Sequence, residues 1–171
     1  MSCAFGAMVI LIVVAAVTES SGGGTRASGV VALNAAFTGP GQVALSHSQP
    51  GFIIERLLES GTADPSCRML LAEGAALEST CGMHATLVGS FSSVQHPVLS
   101  ARVLNVPAGR FRVALYAYGA DRRESISARA QVWHEGTVTP LQASSESHGR
   151  FVRTGDVIAT TEITVNGVPT R

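Results

Sequence analysis

The chain has no lysine: all twelve of its basic residues are arginine, and twelve acidic residues balance them, leaving no net charge when the five histidines are neutral. Charged residues make up only 14% of the sequence, and the two signs are interspersed. That distribution excludes the basic stripe or patch with which nucleic-acid binders hold phosphates, so neither DNA nor RNA is expected as a partner. It also excludes charge-driven disorder, because disordered chains combine low hydrophobicity with high net charge, whereas 46% of this one is apolar. The all-arginine composition is what coding bias produces, although arginine also grips carboxylates and phosphates bidentately where lysine acts as a point charge.

Catalytic motifs are missing as well. Gly89-Ser90-Phe91-Ser92 departs from the Gly-x-Ser-x-Gly elbow at its last position, and Gly22, Gly23 and Gly24 precede a strand pattern instead of opening a phosphate-cradling helix. His47, His84, His96, His134 and His148 stand neither one helical turn apart nor at alternating strand positions, and no acidic cluster accompanies them. No metal site, cofactor or catalytic residue is therefore assigned. Glu55 and Glu59, one helical turn apart, read as a solvated helix face. An alternative keeps His84 and His134 in view: a secreted hydrolase-type enzyme whose site is assembled from residues far apart in sequence.

Cysteine is scarce, at three residues. Cys3 lies ahead of an apolar run over residues 8–17 that stops at Thr18 and Glu19. The run is shorter than the roughly 20 residues needed to cross a bilayer and suits the apolar region of a secretory signal. The first basic residue, Arg26, comes only after it, so an uncleaved apolar anchor is the competing reading. Residues 1–19 are thus read as signal peptide or anchor, 20–28 as a Gly/Ser-rich flexible linker, and 29–168 as a single domain. The product is expected to be secreted, periplasmic or at the cell surface, with the membrane reached only through the N-terminal segment if it is kept. In such an oxidising compartment Cys67 and Cys81, the even pair that remains, are expected to form a disulfide.

Turn residues divide the domain into short, alternating apolar segments. Val31, Leu33, Ala35 and Phe37 precede Thr38-Gly39-Pro40-Gly41; Ala85, Leu87 and Phe91 alternate with polar neighbours; Val157, Ile158, Thr160, Thr161, Ile163 and Val165 make the last strand. Ile53, Ile54, Leu57 and Leu58 recur at helical spacing before Gly61, and Asp64-Pro65 reads as a cap with proline in the first turn, so one or two short helices are expected around residues 50–78. The whole reads as mainly β, an antiparallel β-sandwich of 7–8 strands with those helices inserted; a barrel is the alternative.

The clearest pattern places Phe111, Val113, Leu115 and Ala117 on one strand face and Ile126, Ala128 and Ala130 on one face of its successor, joined as a hairpin through residues 119–122. In that register Arg112, Tyr116, Tyr118, Arg123, Arg129 and Trp133 share the outward face, with Arg112 beside Arg129. Arginine, tyrosine and tryptophan are the residue types enriched at binding hot spots, so these six form the candidate binding surface. The alternative has the protein cover this face itself, with Glu55, Glu59 or Glu73 pairing the arginines. The expected function is an exported, non-enzymatic binding or surface-assembly subunit, its partner a protein or glycan. A self-assembly route through an edge strand is offered by the alternating segment from Thr25 to Phe37. A membrane-tethered accessory subunit is the remaining alternative.

Overall fold

The structure is a computed structural model, and it describes residues 29–38, 49–72, 78–91, 97–118, 124–143, 151–152 and 155–166. The apolar leader, the linker and Arg123 lie outside these residues. Regular structure among them is entirely β: β1 Gly29–Thr38, β2 Gln49–Leu57, β3 Ala63–Ala72, β4 Glu78–Ser79, β5 His84–Phe91, β6 Val98–Val106, β7 Gly109–Tyr118, β8 Glu124–Ser125, β9 Ser127–His134, β10 Thr137–Pro140, β11 Gln142–Ala143, β12 Phe151–Val152 and β13 Val157–Val165. Two antiparallel sheets stack as a β-sandwich, one ordered β10-β9-β1-β6-β5 and the other β11-β13-β7-β2-β3-β4, with β12 and β8 as a separate two-stranded ribbon.

The sandwich forms because the central strands alternate. Val31, Leu33, Ala35 and Phe37 of β1 and Leu99, Ala101 and Val103 of β6 point from the five-stranded sheet into the core. They meet Phe52 and Ile54 of β2, Met69 and Leu71 of β3 and Phe111, Val113 and Leu115 of β7 from the other sheet. Side chains of this size stabilise by about 1.5–3 kcal/mol each when fully buried, which makes the layer between the sheets the dominant favourable contribution. The turn between β9 and β10 consists of Glu135 and Gly136, both at positive φ (47° and 79°), the backbone that a two-residue hairpin requires.

Two sequence expectations are corrected. Residues 49–57 and 63–72 are strands, with no helix among the described residues of this region. The helical spacing arises because Leu57, at the end of β2 and opposite Arg110 on the outer side, is buried like Ile54 three residues before it, without joining the core that Ile54 enters. Ile53 adds to the imitation by lying half-buried on the outer face, opposite Leu70 and Ala114. Asp64 does bind the backbone N–H of Ser66 at 2.9 Å, as a capping acid would, yet within β3.

The second correction concerns the hairpin. β7 lies between β13 and β2 in one sheet, while β9 lies between β1 and β10 in the other. Their apolar faces do confront each other, but across the core instead of side by side. A period of two marks which face is buried and is silent on whether the neighbour is paired or stacked.

Cys67 of β3 is bonded to Cys81, in the turn through which the chain leaves β4 of the six-stranded sheet for β5 of the other. Replacing both cysteines by alanine is expected to lower the free energy of unfolding by about 3 kcal/mol, the loop-closure value for a ring of this size, read from denaturant titrations.

The β2–β3 hairpin is held by Asp64, whose buried carboxylate accepts hydrogen bonds from Arg56 Nε (2.9 Å) and Nη2 and from the Ser66 hydroxyl (2.6 Å). The Ser66 and Arg56 donors lower its pKa to about 2. Because the unfolded value is about 3.9, this contribution is present above that pH and is lost as the pH falls toward 2. The stability difference between the wild type and Asp64→Asn is therefore expected to be constant from pH 7 to 5 and to shrink between pH 4 and 2, as followed by chemical denaturation.

Candidate functional site

The six residues expected to share one face occupy opposite outsides of the sandwich. Arg112, Tyr116 and Tyr118 lie on the outer face of the six-stranded sheet, Arg129 and Trp133 on that of the five-stranded sheet, and Arg123 outside the described residues. Arg112 is not a neighbour of Arg129; its cross-strand partners are Glu55 and Glu162.

On the six-stranded sheet the charges cancel locally. Arg68, Glu55, Arg112 and Glu162 stand opposite one another across β3, β2, β7 and β13, a row of alternating sign. Arg112 Nη1 approaches Glu55 Oε1 at 3.3 Å, Arg112 Nη2 donates to the Gly61 carbonyl at 3.4 Å, and Arg110 pairs with Glu162 at 2.9 Å. Glu55, read from sequence as part of a helix face, serves as the strand partner of an arginine.

Tyr116 is buried beside this row. Its ring lies over Gly51, directly opposite on β2, where a Cβ added to the glycine would come within 2.5 Å of ring carbon Cζ. Tyr118 meets it edge-on at 6.5 Å between centroids. Burial, helped by Tyr118, pushes the Tyr116 hydroxyl up to about 12, so it stays protonated; its Oη has no hydrogen-bond partner among the described residues.

The five-stranded sheet differs in kind. None of its five strands contains an aspartate or glutamate, and the arginines they carry are Arg102 and Arg129. Alternation on β9 sends Ala128, Ala130 and Val132 toward the core and Arg129, Gln131 and Trp133 outward. Register then sets Val138, Trp133, Ala32, Arg102 and Thr86 in one row across β10, β9, β1, β6 and β5. The next row is Pro140, Gln131, Asn34, Ser100 and Gly89, within which Asn34 Nδ2 donates to Ser100 Oγ at 2.9 Å. Arg129 stands beyond them opposite Ala36. The centre of the face is therefore flat, floored by alanine, amide and hydroxyl groups, with an indole on one side and guanidinium groups around it. Sequence reasoning found Arg129 and Trp133 but missed Arg102, Asn34 and Gln131, because the β9–β1–β6 pairings join residues 62 to 103 positions apart.

His84 and His134 are not brought together. His84 is exposed on edge strand β5, whereas His134 points inward on β9, three strands away. The two nitrogens of His134 face the carbonyl oxygens of Val30 and Thr164, each at 3.2 Å, which bridges β1 to β13. Among the described residues no cluster of three or more His, Cys, Asp or Glu side chains is arranged to hold a metal ion.

Gly51→Ala is expected to destabilise the domain by about 1–3 kcal/mol through overpacking against Tyr116. Tyr116→Phe, which removes only the unpartnered hydroxyl, is expected to be neutral or to stabilise by about 1 kcal/mol; a loss of stability in urea titrations would mean that the hydroxyl has a partner. Comparison of the chain with models of protein families, with characterised proteins and with solved structures gives no match.

Proposed function

We propose that the chain is an exported, non-enzymatic β-sandwich that works by binding, and that its recognition surface is the outer face of the five-stranded sheet. The observation that carries this reading is the segregation of charge in a chain with no net charge: the strands of this sheet hold Arg102 and Arg129 and no carboxylate, while the opposite face pairs its arginines with glutamates. Guanidinium groups set around the only tryptophan of the chain are the residue types that carry binding energy at interfaces. Export is supported by the Cys67–Cys81 disulfide, a bond that persists in oxidising compartments, and by the apolar run ahead of the domain.

The described part of the segment from Thr25 to Phe37, for which an assembly route was suggested, is paired within its own sheet. β1 is an interior strand, paired to β6 and β9 along its length, so its removal takes the middle out of the sheet. The long edge is β5, where an irregularity between Leu87 and Gly89 interrupts the ladder beside Val88, a device that blunts strand addition.

Expressed with its own N-terminus, the chain is expected to be recovered outside the cytoplasm with Cys67 and Cys81 oxidised. The recovered protein is expected to be retained on at least one class of ligand in an array of immobilised glycans and peptides. The double substitution Arg102→Gln, Trp133→Ala should abolish retention while leaving the melting temperature within a few degrees. Retention that survives the double substitution, or no retention at all, would overturn the assignment of this face.

A further inference from the structure

We infer that the ligand of the five-stranded sheet is an acidic oligosaccharide, a run of uronic-acid sugars whose rings lie against Trp133 and whose carboxylates are held by Arg102 and Arg129. The inference rests on the binding-face reading above and adds the chemical class of what is bound.

Three properties of the face select this chemistry. The first is charge. A ligand lying on β9, β1 and β6 meets two guanidinium groups and no strand carboxylate, and arginine binds carboxylate through two parallel hydrogen bonds. The second is shape. Ala32 and Ala36 project no farther than Cβ, so the middle of the sheet presents a level floor without a hollow for a bulky side chain. A pyranose ring is itself a flat body with an apolar C–H face, suited to the half-buried indole of Trp133, and Val138, 55% exposed in the same row, extends that apolar strip. The third is hydrogen bonding. The Asn34–Ser100 pair and the exposed amide of Gln131 offer donors and acceptors in the plane of the floor, as a ligand bearing a hydroxyl on most of its ring carbons needs.

Spacing agrees with a ligand longer than one sugar. Trp133 and Arg102 share a row two strand spacings apart, roughly 10 Å. Arg129 is four residues along β9 from Trp133, roughly 13 Å. A single ring on the indole does not reach both guanidinium groups, whereas neighbouring residues of one oligosaccharide do. An acidic polypeptide is the less suitable occupant, because protein interfaces are centred on buried apolar anchors and the centre of this face is alanine, amide and hydroxyl.

The single tryptophan makes the test direct, since indole emission, excited at a wavelength where the two tyrosines do not absorb, reports on this face. Tetramers of galacturonate, glucuronate and mannuronate are titrated at low salt, beside the methyl ester of tetragalacturonate, a neutral galactose tetramer and hexaglutamate. At least one uronate tetramer is expected to give a saturable change in emission. Its affinity is expected to fall at least tenfold on methyl esterification, tenfold or more in Arg102→Gln or Arg129→Gln, and steadily with added salt, with melting temperatures unchanged. Equal binding of the ester or of the neutral tetramer overturns the acidic specificity, and binding of hexaglutamate alone assigns the face to an acidic polypeptide; both outcomes leave the binding-face reading standing. Silence of every probe overturns the uronate assignment, and silence combined with no retention on the array removes the binding face with it.

Discussion

Two alternating faces pressed together hold this molecule, and neither sheet has another way to cover its apolar side. Phe37 on β1, Phe52 on β2 and Phe111 on β7 are fully buried where the central strands of the two layers meet. Once those strands are fixed, every remaining residue is assigned to inside or outside by parity, because successive strand residues point to opposite faces. Parity is broken where register slips by one extra residue, between Leu87 and Gly89 and between Val157 and Ala159. Between Glu55 and Leu57 the β2–β3 ladder is irregular too, but there the extra residues lie on β3, whose Asp64 meets Arg56, and the ladder of β2 with β7 runs on unbroken.

What the sequence made legible follows from the same rule. The strands whose sequences alternate, β1 and β7, could be read directly, as could β13 from its run of β-branched residues, and so could the pairing of Cys67 with Cys81. The segment around Ile53 and Ile54 was not legible as a strand, since apolar residues at outer positions, Ile53 and Leu57, combine with the inner Ile54 to reproduce helical spacing. The candidate surface was half legible. Outwardness of Arg112, Tyr116, Arg129 and Trp133 followed from alternation alone, but which of them are neighbours depended on partners far away in sequence. Arg102 joins Trp133 only because β1 lies between β6 and β9, an arrangement that no local pattern encodes.

The neutral total charge conceals an uneven molecule. Described acidic residues sit on the six-stranded sheet, on the short ribbon and in turns, where several meet specific donors: Asp64 with Arg56 and Ser66, Glu55 with Arg112, Glu135 with both amide nitrogens of Asn166, which hold its carboxyl below the usual range. Screening over about 8 Å at physiological salt leaves the two outer faces electrostatically distinct, since they are separated by the thickness of two sheets. A ligand therefore meets either a balanced surface or a positive one, according to the side it approaches.

The disulfide gives this sandwich a spine. It ties β3 to the turn that leads from β4 of one sheet to β5 of the other, and at the opposite side the chain itself passes from β10 of one sheet to β11 of the other through the single residue Leu141. A body built this way is clasped along both margins. Parting the layers pulls on a covalent link at either side, the disulfide and the β4–β5 turn at one and the backbone of Leu141 at the other.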